Sequence, residues 1–330
     1  MLLLLSVGQE VLAGEPEKFE FSEVLMGVPL KISVYVDDEA LANKGATAAF
    51  ERVKELDQLL SDYKIDSELN QLALERPYNV PHPVSTDLFH VLKISEKVSE
   101  ESAGAFDVSV GPLVKLWRKA RRQKELPDTI ELNERKKSVD YRLIQLNEDG
   151  QKVTLSHPGM RLDLGGIAKG YAADAALKEL KKQGLNCAIL DFGGDVVVGD
   201  PPPGKEYWTI AVAPLKNDAG AEKFQFIDLK NGSVATSGDA YQYVELDGVR
   251  YSHIVNPKTG LGLTERSSVT VIAPNGTLAD AWASAVSVLG PERGVETINR
   301  DKNLATFIIT ETETIASENW KEYLHSEATP

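Results

Sequence analysis

Two side chains with oxygen donors, Asp280 and Ser284, stand four positions apart in the alanine-rich segment that follows Thr277. On a helix that spacing puts both on one face. A carboxylate with a hydroxyl is a hard, oxygen-only donor set, suited to magnesium and poor for zinc or copper. Magnesium keeps waters and is completed by substrate phosphates, so two side chains and a carbonyl suffice. The pair also has a plainer reading, a helix-cap residue and a small packing residue. A second stretch offers complementary chemistry. In Arg161 to Leu177, RLDLGGIAKGYAADAAL, an apolar stub holding Asp163 runs into Gly165-Gly166, and a helical segment carrying Lys169 and Asp174 follows. Helix-start amides favour anions, and the carbonyls of a glycine corner are free to face a cation. By itself this stretch leaves the ligand open.

The elements that must position these residues are read from periodicity. Leu30, Ile32, Val34 and Val36 alternate as a strand after the turn Met26-Gly27-Val28-Pro29, and Ala46 to Leu60 has helical spacing. Asp66 is expected to cap a short helix through Leu74, and Ser85 or Thr86 to start one that ends near Gly104. Gly111-Pro112 opens a short helix with Leu113, Leu116 and Trp117, and the charged run Arg118 to Lys137 reads as a solvated surface excursion. Asn147 to Gly150 and Asp247-Gly248 are hairpin turns, and Cys187 to Val198 is two buried strands joined at a tight corner within Asp191 to Asp195. Strands are read at Trp208 to Val212, Phe224 to Leu229, Ser268 to Ala273 and Ala305 to Ile309. Thr277 with Asp280 predicts a capping box for a helix to Leu289, and Pro291 to Arg300 a further helix. Strands and helices mix without strict alternation, which predicts an α+β fold with mixed, largely antiparallel sheets and packed helices.

Composition and motif tests remove other classes. A net charge of -14 over 330 residues argues against general nucleic-acid binding, which needs basic surface. The lone Cys187 excludes an internal disulfide and a cysteine metal cluster, and reads as a buried small hydrophobe. No apolar run approaches the ~18 residues of a membrane span. Asp191-Phe192-Gly193 lacks the catalytic loop of a kinase, and Gly165 to Gly170 has neither nucleotide-loop spacing. Ser61-Asp62-Tyr63-Lys64 and Lys258-Thr259-Gly260 match two marks of penicillin-binding enzymes, but Ser61 ends a helix and Asn256-Pro257 puts the second in a turn. His82, His90, His157, His253 and His325 lack zinc-ligand spacing. Residues 1–14, MLLLLSVGQEVLAG, resemble a short or truncated export signal, and no cysteine follows Gly14 to support a lipid anchor.

Seven blocks then fall in a recognisable order. They are Met26-Gly27; Leu59 to Tyr63; Gly104 to Val114, GAFDVSVGPLV; Asp163 to Asp174; Asp191 to Asp195; Ser252 to Gly260; and Leu278 to Ala285. In this the chain resembles the FAD:protein FMN transferase family, known as ApbE, from about Phe21 onward, as one domain over residues 20–325. The resemblance implies a magnesium-dependent transferase. Such an enzyme cleaves FAD at the pyrophosphate, releases AMP and links FMN by a phosphoester to a Thr or Ser of an acceptor flavoprotein. It implies export to the periplasm or cell envelope, where such acceptors belong to redox complexes. Met26, Tyr63, Ala105, Phe106, Asp107, Asp163, Lys169 and Ile254 would line the FAD site. The Gly166 carbonyl with Asp280 and Ser284 would hold Mg2+, and His253 would be the base. Two departures stand out: Ser284 replaces the family's usual threonine, and Ala283 lies where some members have aspartate. Plainer readings stay beside these roles. His253 is equally a hydrogen-bonded residue at a strand end, Lys169 an exposed helix lysine, and Tyr63 and Met26 core side chains. A hydrolase giving FMN and AMP, and a flavin carrier without turnover, are the rival activities.

Overall fold

The computed structural model describes residues 16–74, 76–212, 215, 224–238 and 243–326; the export-signal reading, on residues 1–14, falls outside them. The chain opens with strands β1 (Glu17–Leu25) and β2 (Val28–Val36). Helices α1 (Glu39–Leu60) and α2 (Glu68–Leu74), the two-residue β3 (His82–Pro83), and helices α3 (Thr86–Glu101), α4 (Gly111–Gln123) and α5 (Thr129–Lys136) follow. Next come β4 (Ile144–Asn147), β5 (Lys152–Leu155), α6 (Ala168–Lys182), β6 (Ala188–Phe192) and β7 (Asp195–Val198). Strands β8 (Trp208–Val212), β9 (Gln225–Leu229), β10 (Gly232–Gly238), β11 (Tyr243–Leu246), β12 (Val249–Ser252) and β13 (Ser267–Ala273) lead to α7 (Gly276–Leu289) and α8 (Pro291–Ile298). The last strands are β14 (Ala305–Thr310) and β15 (Thr314–Ala316).

An eight-stranded antiparallel sheet in the order β1-β2-β6-β7-β10-β13-β14-β15 is the frame. The fold is therefore α+β with antiparallel pairing, as the mixture of hairpins and helices predicts. Leu30, Ile32 and Val34 of β2 are wholly buried, and each such side chain stabilises by about 1.5–3 kcal/mol. The β1–β2 turn is only Met26-Gly27, both with positive φ (47° and 82°); Val28 and Pro29, expected in the turn, already belong to β2. Helices α1, α6 and α7 cover one face, α1 against α6 and α6 against α7, with α7 lying along β10 and β13. On the other face the β8–β9 hairpin closes a second core around Trp208, Ile227, Phe307 and Trp320. A third core joins Leu113, Trp117 and Ala120 of α4 to Leu246 and Val255, and the Trp117 indole donates to the Gly260 carbonyl (2.8 Å).

Three local expectations are corrected. Helix α2 is capped by Ser67, whose hydroxyl accepts from the Asn70 amide (3.1 Å), and not by Asp66. Helix α7 is capped by Asn275, which accepts from the Leu278 amide (2.9 Å); Thr277 and Asp280 form no box. Part of the charged run belongs to α4 and is half-buried. Cys187 is half-buried and its thiol donates to the Pro201 carbonyl (3.1 Å); burial, then the nearby Asp200, pushes it up to about 11. Among the described residues no helix is long and apolar enough to cross a membrane.

Candidate functional site

The N-termini of α6 and α7 meet in backbone contact. A methyl on Gly170 would lie 2.0 Å from the Gly276 carbonyl oxygen, and one on Gly276 2.7 Å from the Gly170 carbonyl, so neither position admits a side chain. Two acids lace the helices together crosswise. Asp174 of α6 accepts from the Gly276 amide (2.7 Å), the Thr277 amide (2.8 Å) and the Thr277 hydroxyl (2.6 Å), satisfying donors that a helix start leaves open. Asp280 of α7 returns the contact, accepting from the Gly170 amide (3.1 Å). The α6 start is consequently a less open anion site than a free helix terminus, since several of its amides are already engaged. The amides of Ile167, Ala168 and Gly170 all have partners within the protein, as does the Gly165 amide.

Around this junction lies the first of two charge clusters. Lys169 forms an ion pair with Asp195 and stands 3.8 Å from Asp280. Its side chain is 28% exposed, so the exposed-lysine reading is wrong. Burial pulls its ammonium down, but Asp280 and Asp195 outweigh that and hold it well above the ordinary lysine value. Burial pushes Asp280 up to about 7; Lys169 opposes the shift and Asp195 adds to it. One base thus faces two buried acids. One turn on from Asp280, Ser284 sits against the glycine corner, since a methyl on Gly166 would come within 2.6 Å of the Ser284 hydroxyl oxygen and 3.4 Å of the Phe106 ring. No hydrogen bond from Ser284 to another described residue is formed. No group of three or more His, Cys, Asp or Glu side chains able to hold a metal occurs among the described residues. A cation here would rest on one carboxylate, one hydroxyl and main-chain oxygen, and the surplus negative charge with that donor chemistry fits a small hard ion.

The second cluster lies on the other side of the corner. Asp163 accepts from the Gly165 amide (2.8 Å), which folds the turn, while its second oxygen meets Arg118 of α4 at 3.2 Å. Arg118 also pairs with Asp62 and lies 4.2 Å from the ring centroid of Tyr63. Tyr63 is 78% exposed and no core residue. Burial, then Asp62, pushes Asp163 up to about 6 against the pull of Arg118. The Asp163 amide donates to the Val108 carbonyl (2.8 Å), which seats the buried Ala105, Phe106 and Asp107 beside the corner. Asp107 is engaged internally: one oxygen accepts from the Ser109 amide (2.8 Å) and hydroxyl (2.6 Å), the other from the Tyr141 amide (2.9 Å). Burial nonetheless pushes it up to about 6.

The remaining expected residues sit on two neighbouring loops. Met26 is half-buried at the β1–β2 turn, in a left-handed conformation uncommon for a non-glycine residue. That turn abuts the β6–β7 turn, where the Gly193 amide donates to the Pro29 carbonyl (3.1 Å), at the sheet end from which Asp195 departs. His253 and Ile254 are half-buried just after β12, in a loop pinned by Ser252 to Leu263 (2.7 Å) and Leu263 to Ile254 (2.9 Å) main-chain bonds. Lys258 of that loop lies 3.9 Å from a methyl placed on Gly104, which sets the loop against the Ala105 to Asp107 segment. Sequence reasoning gave no role to three residues now seen in the clusters. Asp62 and Asp195 lay inside quoted blocks; Arg118 lay in the run read as solvated.

Residues 26–308 match the model of the ApbE family. A FAD:protein FMN transferase of Klebsiella pneumoniae (strain 342) is 33% identical over 297 residues, 88% of this chain and 89% of that protein. One from Vibrio cholerae (Classical Ogawa 395) is 31% identical over 333 residues, 99% and 96% of the two. Among solved structures, the ApbE protein of Thermotoga maritima superimposes with a TM-score of 0.84 at 29% identity, over 94% of this chain and all (100%) of the other. The flavin transferase ApbE of Vibrio cholerae does so with a TM-score of 0.82 at 28% identity, with the same coverage of 94% and 100%.

Proposed function

The chain belongs to the ApbE family and is an FAD:protein FMN transferase, and from that premise we propose that it works with Mg2+, releases AMP and esterifies a Thr or Ser of an acceptor flavoprotein. The observation that carries this reading is the meeting of Gly166, Ser284 and Asp280 at the α6–α7 junction, with Phe106 in contact. Asp280, Ser284 and the Gly166 carbonyl would hold Mg2+, which when bound offsets negative charge on the pyrophosphate oxygens.

The protein's own groups divide the remaining work. Tyr63 offers an open ring face to a planar conjugated ring, and Met26, Ala105, Phe106 and Ile254 supply apolar lining. Asp107 contributes shape, since its oxygens hold the Ser109 and Tyr141 main chain. Lys169 is matched by Asp195 and Asp280 and serves mainly to fix those two carboxylates. His253 takes the proton from the acceptor hydroxyl as its oxygen bonds to the flavin-side phosphorus; the bond from that phosphorus to the bridging oxygen breaks and AMP leaves. The family's envelope setting, with the leucine-rich residues 1–14, supports an acceptor outside the cytoplasm.

Incubation with FAD and Mg2+, with and without an acceptor protein bearing a suitable threonine, tests the reading. AMP and a covalent flavin adduct are expected only when the acceptor is present. AMP without acceptor would replace the transferase by a hydrolase, and no AMP in either case would leave a carrier. His253→Ala should bind FAD normally but transfer roughly 10²–10⁴-fold more slowly; an unchanged rate removes the base role.

A further inference from the structure

We infer that Arg118 is a positioning residue of the flavin site, which holds the Tyr63 ring from behind and ties it to the glycine corner. The inference rests on the FAD-transferase reading. Tyr63 stands out from the protein at the end of α1, 78% exposed, so its ring is open to a ligand. The Arg118 guanidinium lies 4.2 Å from its centroid and covers one face. The same guanidinium pairs with Asp62, the residue just before Tyr63, and with Asp163 (3.2 Å), whose other oxygen holds the Gly165 amide (2.8 Å). Both carboxylates are almost fully buried, with side-chain exposures of 8% and 9%. One planar group therefore sets the ring plane of Tyr63 and the turn that presents Gly166. Only a forked, planar cation can bridge two acids and stack on a ring at once; a lysine ammonium is a point charge. Since the guanidinium sits behind the ring, it touches no flavin itself.

The test compares wild-type protein, Arg118→Lys, Tyr63→Ala and the double variant for FAD affinity and for quenching of flavin fluorescence at saturation. Arg118→Lys should raise the FAD Kd and KM about tenfold with kcat within about twofold, and leave bound flavin brighter, as expected for a lost cation–π contact and fork. In the Tyr63→Ala background the same change should cost less than about twofold, because the two act through one contact. Asp62→Asn, which preserves size, should raise the FAD Kd severalfold in the same direction and serves if Arg118→Lys does not fold. Unchanged affinity and quenching with only a lower Tm would make Arg118 purely structural and overturn the inference. So would equal losses in both Tyr63 backgrounds, or an unchanged Asp62→Asn. Wild-type protein that fails to bind FAD would overturn the transferase reading together with this one.

Discussion

On either side of the Gly165-Gly166 corner, two buried acids share one base, and the two arrangements differ in what that base is. Asp62 and Asp163 share Arg118, whose fork reaches both and whose flat face meets Tyr63. Asp195 and Asp280 share Lys169, whose single ammonium pairs closely with Asp195 and leaves Asp280 at 3.8 Å. The arginine cluster is geometrically complete and acts as a brace. The lysine cluster leaves one carboxylate under-compensated, next to a hydroxyl that bonds to no other described residue. On the proposed Mg2+ reading, that shortfall would give the second cluster a use for an external cation, since a buried charge without a close counter-ion is costly.

The comparison breaks most visibly if the same change is made in each cluster. Asp280→Asn should lower FMN transfer by at least about 100-fold and abolish Mg2+ binding in calorimetry, whereas Asp62→Asn should lower transfer by about tenfold or less. Equal losses would put both clusters on one footing. Lys169→Met strips the base from two buried acids and should cost roughly 3–5 kcal/mol in metal-free protein, largely restored by saturating Mg2+. Denaturant unfolding with and without Mg2+ measures this, and no restoration would mean that the cation does not enter the cluster. Next comes pH. Asp280 and Asp163 are pushed from 3.8 up to about 7 and about 6, so between those limits the folded protein binds more protons than the unfolded chain. Metal-free protein should therefore lose stability as pH rises from about 4 towards 7. Mg2+ should flatten the upper part of that decline, which belongs to Asp280, and spare the lower part. A Tm series over this range, with the slope near neutrality unmoved by Mg2+, would contradict the assignment. The smallest effect is Ser284→Thr, which stiffens the hydroxyl rotamer and should tighten Mg2+ by about two- to threefold; calorimetric weakening would count against Ser284 as a ligand.

The sequence displayed the parts of this site that are local and concealed those that are distant. The four-residue spacing of Asp280 and Ser284 and the glycine corner are local facts, and both stand at the junction. The cap of α7 was misread because Thr277 and Asp280 have the right spacing for a box, while their partners are Asp174 and Gly170, 103 and 110 positions away. Arg118 looked like one more cation in a charged run because its acids lie 56 and 45 residues off. Strand β1 left little trace since it is the sheet edge: Phe19, Phe21 and Leu25 face inward at alternate positions, but Glu23 interrupts the series and only Leu25 is buried. The sheet interior was legible for the opposite reason: β2 and β6 alternate buried apolar residues along their length, and β13 is an almost continuous buried run.

If the junction holds Mg2+ as proposed, the Gly170–Gly276 contact bears on ion selectivity. With no side chain between the helices, the main chains of α6 and α7 are held at close range at Gly170 and Gly276. Calcium tolerates loose, expandable cages, while magnesium requires short, near-octahedral distances. A cation held by the Gly166 carbonyl before α6 and by Asp280 and Ser284 on α7 would meet a spacing that this contact limits. On the proposed Mg2+ reading, the size of the ion that would fit this junction is limited in part by two residues that would never touch it.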